Sequence, residues 1–410
     1  MTDPNLPLST DPAAICHIDT ETKALPHTAS TSNENVTTAG GYRYAENSFV
    51  TIITYGIGDN PVKEVSVPNF KPGTRLDFNT LPEDLKAFWL RAATQKDCWF
   101  AAWNMNFDRL QLSNIPNAPR VTPEMTIDVM AQAVASNLPA KLEGASRAIG
   151  RQGKQNDGKA LIGLFAKATG ATPQSHPVEW ARFKSYAIQD TEELRHVFKA
   201  TRPLPRREWE EYWVSERIND RGMMVDVHFC ERAAAIAELN ERRINRDLKE
   251  LTGGAIATVG QTARIGQWLY DRLPSAEARD LLVKQWADED TITGPDQDLV
   301  ATKLSVSSDR LDALHAWFIK RDEENGLSDE EYDMLLILEA RMYGASATPK
   351  KFGKMVDQHA GGRLRGQYVF NGAAQTGRYS SRGVQVHNLM RASLKKREAE
   401  IIDMISDLAI

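Results

Sequence analysis

The sequence predicts a mixed α/β domain followed by a mainly α-helical region, and three observations carry that expectation. Short apolar runs of strand length are gathered early in the chain, with amphipathic helical patterns between and after them. The two prolines of Thr201-Arg-Pro-Leu-Pro205 then break the pattern and mark a boundary. Beyond them nearly every window to about residue 358 has helical spacing, until a Gly-rich stretch takes over. A chain of 410 residues suits two or three domains, at roughly 100–200 residues each.

Taken in order, residues 1–12 form a polar, Pro-bearing tail with no basic-then-apolar leader. Residues 13–19 (Ala-Ala-Ile-Cys-His-Ile-Asp) read as a short buried strand, and 24–41, rich in Ser, Thr and Asn and closed by Gly40-Gly41, as a loop or insertion. Strands are expected at 49–57 and 62–67, joined by the turn Gly58-Asp59-Asn60-Pro61. An amphipathic helix at 81–93 and a buried strand at 98–103 follow, then helices at 126–136, 142–149 and 178–199, the last with Trp180, Phe183, Ala187, Leu194 and Phe198 at helical spacing. Past the prolines the pattern predicts helices at 206–220, 227–251, 261–272, 275–288, 307–324 and 328–358, with an irregularity at Gly344 and a fresh start at Pro349. Residues 361–391 read as irregular with room for one short hairpin, and 394–408 as an amphipathic helix with Ile401, Ile402, Ile405 and Leu408 on one side. The division is therefore a tail (1–12), an α/β domain (13–203), a helical region (204–358) and a basic Gly-rich segment with a terminal helix (359–410).

Hydrophobic residues make up 41% of the chain and charged residues 26%, a globular rather than a disordered balance. No apolar run reaches the ~18–20 residues of a membrane helix, so neither membrane insertion nor secretion is expected. Cys16, Cys98 and Cys230 lie far apart and form no CxxC, and the histidines are scattered. Any metal is then expected on carboxylates, which selects a hard ion such as Mg²⁺ or Mn²⁺. The net charge of −5 conceals an asymmetry: residues 341–397 hold twelve Lys or Arg and one acid, Asp357. That stretch is either a solvated basic face or a footprint for a polyanion, and Gly361, Gly362, Gly366, Gly372 and Gly377 with Tyr368, Phe370 and Tyr379 favour nucleic acid.

The chemistry-bearing pattern begins at His17-Ile-Asp19-Thr-Glu21. On a strand, residues i and i+2 share a face, so Asp19 and Glu21 project side by side and repel unless a cation lies between them; alone, they read equally as solvated surface acids. Trp103-Asn-Met-Asn-Phe-Asp108 follows the strand at 98–103, placing Asp108 at the rim of the sheet or in a helix cap. Tyr186-Ala-Ile-Gln-Asp190 puts a phenol and a carboxylate one helical turn apart, a surface pair or a site. Asn104 either contacts a substrate backbone or caps the turn before Asp108. His17 reads as a packed strand residue, Trp103 and Phe107 as core, and Lys159 as a phosphate contact or a solvated cation.

As an ordered set on strand, strand end and helix, Asp19, Glu21, Asp108, Tyr186 and Asp190 resemble the three motifs of the DEDD 3′–5′ exonuclease superfamily, in its tyrosine-bearing branch. The resemblance continues past the exonuclease. Arg217-Ile-Asn-Asp-Arg-Gly-Met-Met-Val-Asp226 is similar to the segment after the exonuclease in phage-type family A DNA polymerases, and residues 341–354 to their basic helix. Gly372-Ala-Ala-Gln-Thr-Gly-Arg-Tyr-Ser-Ser-Arg-Gly-Val-Gln-Val-His-Asn-Leu389 resembles the box just before their polymerase palm. Gly41-Tyr42-Arg43-Tyr44 and Gly158-Lys159-Ala-Leu-Ile162 fit the same pattern, so the likeness covers residues 13–395.

The resemblance implies a ribonuclease H-like exonuclease domain and a thumb-like helical region. It implies two Mg²⁺ ions (or Mn²⁺) held by Asp19, Glu21, Asp108 and Asp190. Tyr186 would orient the attacking water, because a phenol with a pKa near 10 is a poor base at pH 7. It also implies DNA as partner, both a single-stranded 3′ end and a primer–template duplex, with an aromatic such as Phe107 or Trp103 wedged against the terminal base and contacts from Asn104, Arg378, Arg382, His387 and Asn388, and from Lys350, Lys351 and Lys354 on one helix face. A phage or prophage protein of this kind would work in the bacterial host cytoplasm. Two departures stand out. Met390 replaces the usual Pro, and only fourteen residues follow Lys396, too few for the palm aspartates, so this chain is not expected to synthesise DNA unaided: it is a truncated or split product, or the remainder is a separate polypeptide carrying the palm. Asp403 and Asp407 read as surface acids. The competing readings are a self-sufficient exonuclease of the same branch acting on RNA, and a non-catalytic DNA-binding module. No G-x-x-x-x-G-K-(S/T) is present.

Overall fold

A long strand bearing Asp19 and Glu21 sits at the centre of a five-stranded mixed sheet. In the computed structural model, the described residues are all except 1–2, 26–35, 72, 152–157, 168–169, 286–301, 345–346, 374–375, 390–396 and 408–410. They fall into two compact units, residues 1–227 with 354–391, and residues 228–353 with 392–410.

In the first unit the elements run β1 (Ile15–Ala24), α1 (Val36–Glu46), β2 (Ser48–Ile57), β3 (Lys63–Ser66), α2 (Glu83–Thr94), β4 (Trp99–Ala102), α3 (Met105–Ser113), β5 (Thr126–Asp128), α4 (Val129–Ala135), α5 (Leu142–Ala148), α6 (Gly158–Phe165), α7 (Pro177–Ala200), α8 (Arg206–Arg221) and β6 (Met223–Met224). The sheet order is β3-β2-β1-β4-β5; β2 runs antiparallel to β1 and β3, whereas β4 is parallel to β1 and β5. The α/β expectation for this part of the chain therefore holds.

Alternation decides which residues meet which helix. Cys16, Ile18, Ile53, Tyr55 and Phe100 lie on the face covered by α2, where Phe88 and Trp89 pack edge-on to Phe100 at 5.2 and 5.3 Å between ring centroids. Each such fully buried ring contributes roughly 1.5–3 kcal/mol. The opposite face carries His17, Asp19 and Glu21 with their cross-strand neighbours Gly56, Thr54 and Ile52. There α7 closes the layer: Thr54 Oγ1 lies 2.7 Å from Thr191 Oγ1 and donates to the Ala187 carbonyl at 3.2 Å, and His17 packs edge-on to Phe198. His17 is thus a packed strand residue, as expected. Burial and then the Arg195 charge lower its pKa to about 3.

Several expectations need correction. Strand β1 continues well past residue 19, because its later residues pair with β2 across a bulge at which Thr51 is the extra residue. Of the expected loop at 24–41, residues 36–41 open helix α1, with Gly40 at φ +73 kinking it; 26–35 lie outside the described residues. Thr126 to Asp128 form a strand, not the start of a helix, because they extend the sheet beside β4 and Asp128 then caps α4 through the Met130 N–H at 3.0 Å. The tail is tied down: the first N–H groups of α8, which no intrahelical partner serves, donate from Arg206 to the Leu6 carbonyl at 2.8 Å and from Arg207 to that of Pro4 at 3.1 Å.

The Gly-rich segment completes this unit. It contains β9 (His359–Ala360) and β10 (Arg363–Leu364), which join β6 in a small antiparallel sheet, and the hairpin β11 (Tyr368–Ala373) with β12 (Arg378–Ser381). The expected hairpin is present. Asn219 of α8 fixes it in place, donating to the Tyr368 carbonyl and accepting the Tyr368 N–H, at 2.9 and 3.0 Å.

The second unit is mainly helical: α9 (Val227–Leu251), α10 (Thr262–Arg272), α11 (Ala276–Asp280), α12 (Ser308–Asn325), α13 (Asp329–Gly344), α14 (Ala347–Gln358, whose last turn and a half belongs to the first unit) and α15 (Glu398–Asp407). A core of Leu248, Ile265, Leu269, Leu314, Phe318, Ile337 and Leu338 holds it together. The helix expected at 275–288 stops at Asp280. Residues Val283–Gln285 instead pair antiparallel with Thr302–Leu304 as strands β7 and β8. A β-branched residue with a distant partner overrides the local helical pattern. The irregularity at Gly344 has a packing cause, since a Cβ there would stand 3.0 Å from Val259 and 3.2 Å from Ile244. Asp403 and Asp407 are exposed on α15, and so is Ile402, which was expected on its apolar side; Leu408 lies outside the described residues.

Candidate functional site

Strand β4 stops at Ala102, and the chain turns through Asn104, at φ 58, into α3. That early stop leaves the β1 backbone beyond His17 without a ladder partner on this side. Asp108, in the first turn of α3, takes its place: Oδ1 accepts the Thr20 N–H at 2.9 Å and the Thr20 hydroxyl at 2.6 Å. Asp108 is buried. Burial, and then the neighbouring Asp19 carboxylate, push its carboxyl well above the usual carboxylate range, while the Thr20 hydrogen bonds act the other way. The two acids, far apart in sequence, are thereby brought into electrostatic contact.

Asp19 and Glu21 are half-buried on the face that α7 covers. Asp190 is buried on α7, between Ala187 and Thr191, the two residues that meet Thr54, and Thr54 is the cross-strand neighbour of Asp19. One turn earlier Tyr186 stacks on Phe183 at 6.4 Å between centroids. Its ring fills the space that a side chain at Gly158 would need: a Cβ there would come within 2.3 Å of the ring. The flat contact explains a glycine at the start of α6. Tyr186 also lines a cavity of about 500 Å³ with Leu161, Val178 and Arg182.

Among the described residues no three His, Cys, Asp or Glu side chains stand close enough to make a metal-ligand group. The structure brings Asp19 and Asp108 into electrostatic contact, and Asp19, Glu21 and Asp190 lie on the α7 side of the sheet. The chemistry of the donors nevertheless fits a hard divalent ion: all are carboxylate oxygens, and the repulsion between Asp19 and Asp108 is the kind that a bound cation relieves.

Behind Asp108 lies a buried polar network. Arg109 binds Glu216 at 3.1 Å and both oxygens of Asp220 at 2.9 and 2.7 Å; the Tyr42 hydroxyl donates to Asp220 at 2.5 Å, and Asn106 donates to Glu216 at 2.5 Å. The network ties α3, α1 and α8 together, and with them the Gly-rich segment that Asn219 holds.

The residues expected to meet nucleic acid are dispersed. The Asn104 side chain does not cap α3; its Oδ1 faces Arg382, with Nη1 and Nη2 both at 3.4 Å, while its backbone N–H donates to Asp128 at 3.1 Å. Arg378 is exposed on β12. The His387 ring lies 3.5 Å from the Ser381 hydroxyl, and Asn388 donates to Gln385 at 3.4 Å. Lys350, Lys351 and Lys354 sit on α14, with Lys350 paired to Glu241 at 3.2 Å. Lys159 is exposed on α6. Phe107 is half-buried and stacks on Tyr44 at 6.0 Å. Thr20 belongs to the site's surroundings and carries no signal in the sequence beyond its place between Asp19 and Glu21, and Gly158 is marked there only as part of a motif, without its role beside Tyr186.

No protein-family model matches the chain. In sequence it is similar to a DNA polymerase of Bacillus phage SP02, 27% identical over 374 residues, which is 87% of this chain and 50% of that protein. The chain is thus polymerase-related and of phage type, and spans about half the length of the curated relative it matches. Among solved structures it is similar to the polymerase domain of Pol1 from M. smegmatis in complex with DNA primer–template and dNTP, at 13% identity, covering 85% of this chain and 51% of that one, with a TM-score of 0.46. Among the described residues no helix is long and apolar enough to cross a membrane.

Proposed function

We propose that the first unit is a ribonuclease H-like, metal-dependent 3′–5′ exonuclease that trims DNA from its 3′ end and releases nucleoside monophosphates. It would be the proofreading part of a phage-type family A polymerase, with the second unit as its thumb-like helical region. The observation that carries this reading is the meeting of Asp19 and Asp108 on a sheet whose same strand presents Glu21 to the helix bearing Tyr186 and Asp190.

Asp19, Glu21, Asp108 and Asp190 would hold the divalent ions, which supply an acidified water and neutralise the phosphate. The chain's own residues do the positioning. Thr20 fixes the Asp108 carboxylate with two hydrogen bonds, so one oxygen is committed to the fold and the other is left for the site. Tyr186, held flat between Phe183 and Gly158, orients the attacking water through its hydroxyl. The basic Gly-rich segment, with Arg378, Arg382, His387 and Asn388, meets the DNA backbone, as do Lys350, Lys351 and Lys354. The test is release of mononucleotides from a 3′-labelled DNA single strand with Mg²⁺ or Mn²⁺, with an RNA strand of the same sequence beside it. Absence of metal-dependent release from either strand overturns the reading, and preference for RNA would reassign the substrate.

A further inference from the structure

Glu216 is a buried acid of α8. Among the described residues three side chains donate to its carboxylate: Asn106 at 2.5 Å and Arg109 at 3.1 Å to Oε2, and Asn219 at 2.9 Å to Oε1. Asn219 has no freedom to turn its amide over, because its Oδ1 accepts the Tyr368 N–H and its Nδ2 donates to the Tyr368 carbonyl as well. The Gly-rich hairpin thus fixes Asn219, and Asn219 fixes Glu216. The chemistry at Glu216 is particular. Both of its terminal atoms must accept, which a carboxylate does and an amide does not. A glutamine of the same shape would set an N–H against a donor at a buried site.

On α3 the two donors bracket a site carboxylate. Asn106 and Arg109 are three residues apart, so they share the helix face turned to α8. Asp108, between them in sequence, leaves on a different face and reaches Thr20 of β1. A roll of α3 that broke its bonds to Glu216 would swing Asp108 away from Thr20 and from the Asp19 charge beside it. Arg109 has a second hold in Asp220. Asn106 otherwise has the longer bond to the Tyr42 hydroxyl, at 3.3 Å. Glu216 is therefore the acceptor on which the Asn106 end of the clamp depends.

We infer that Glu216 is a positioning residue of the exonuclease site: it sets the roll of α3, and with it the aim of Asp108, from a carboxylate that the Gly-rich hairpin holds in place through Asn219. The site geometry thus depends on a segment that lies some two hundred and fifty residues further along the chain (Asp108 to Tyr368). The inference deepens the exonuclease reading and rests on it for the reaction served, but its first test needs no cleavage.

Hydrogen exchange at the Thr20 amide, which donates to Asp108, reads that aim with neither metal nor DNA present. Glu216→Gln should quicken it roughly tenfold relative to Phe100, a buried β4 residue outside the network. Adding Asn106→Asp exchanges donor and acceptor across the contact and should bring Thr20 back to within about threefold of the wild-type rate. Asn106→Ala, which removes only the α3 end of the contact, should quicken Thr20 as well and serves if Glu216→Gln does not fold. At saturating 3′-labelled single strand with Mg²⁺, Glu216→Gln should lower kcat about tenfold with KM within about twofold, and the double variant should recover kcat. Thr20 exchange that moves no more than that of Phe100 in the single variants, or that the double variant does not restore, overturns the inference, even if the wild type degrades DNA. A wild-type protein that cleaves nothing, with exchange quickened and restored as stated, would instead retire the exonuclease reading and leave Glu216 as the residue that aims Asp108.

Discussion

Arg109 grips Asp220 with both of its terminal nitrogens, at 2.9 and 2.7 Å, and is itself only 1% exposed. It is the residue after Asp108, so this two-pronged contact anchors the helix that delivers a site carboxylate to the helix that holds the Gly-rich segment. Removing one partner of a buried pair strands the other charge, at a cost of about 3–5 kcal/mol. Arg109→Ala should therefore lower the urea midpoint of unfolding strongly, because both Glu216 and Asp220 lose their cation. A change below about 1 kcal/mol would show that water reaches the network freely.

The four acids and Tyr186 should separate by role. Asp19→Ala and Asp190→Ala are expected to lower metal-dependent mononucleotide release by more than about a thousandfold, since each would remove a ligand of a charge-neutralising ion. Tyr186→Phe, which keeps the ring and loses the hydroxyl, should lower it only about ten- to a hundredfold. Quenched-flow release from a 3′-labelled strand measures all three, and full rates in both alanine variants would refute the assignment.

Gly158 should act through Tyr186. A methyl group there would intrude to 2.3 Å from the ring, so Gly158→Ala must push the phenol off its place and reduce the rate at least as much as Tyr186→Phe. In the Tyr186→Phe background the same substitution should add little, the mark of two residues sharing one effect. Additive losses in the double-mutant cycle would mean that Gly158 serves α6 alone.

Asp128 gives a pH signature that can be isolated. Burial, and next the Glu216 carboxylate, raise its pKa to about 6 from an ordinary value of 3.8. Between those values the folded chain holds a proton that the unfolded chain has lost. This group's contribution is thus full below about pH 4 and declines as pH rises through 6, by about 3 kcal/mol at most. Asp128→Asn removes that decline. The wild-type stability minus the variant's should fall from pH 4 to pH 6.5 in urea titrations, and a flat difference would show the carboxyl to be ordinary.

Gly222, after the last turn of α8, has φ 64 and ψ 174, a region essentially restricted to glycine, and a Cβ there would meet the Leu364 carbonyl oxygen at 2.7 Å. Gly222→Ala should cost about 1–3 kcal/mol and loosen β10, which hydrogen exchange of the Leu364 and Val225 amides would register. Wild-type protection would indicate that the turn re-forms without strain.

Periodicity made some of this legible in the sequence. Asp19 and Glu21 share a face because strands alternate, and Tyr186 and Asp190 lie one turn apart because helices turn. Local patterns could not reveal partners chosen across the chain. Thr126 to Asp128 became a strand only because β4 lies beside them, and Val283 because Leu304 is available to pair. The Arg109 network draws on Tyr42 from α1 and on Glu216 and Asp220 from α8, and none of these residues carries a local mark of burial. Asn104 reads equally as a cap or a contact from its place in the sequence; in the fold its side chain does not cap α3 and faces Arg382.

The bulge beside Glu21 has an evolutionary reach. Thr51 is the surplus residue, its hydroxyl donating to the Glu21 carbonyl at 3.0 Å, so the pairing resets between Glu21 and Thr22. Upstream of that reset, the phase that aims Asp19 and Glu21 is set by an unbroken ladder from Cys16 to Glu21. Insertions and deletions farther along can be absorbed without swinging the two acids to the wrong side of the sheet. Descendants of this gene are free to vary there in length while keeping the aim of their carboxylates.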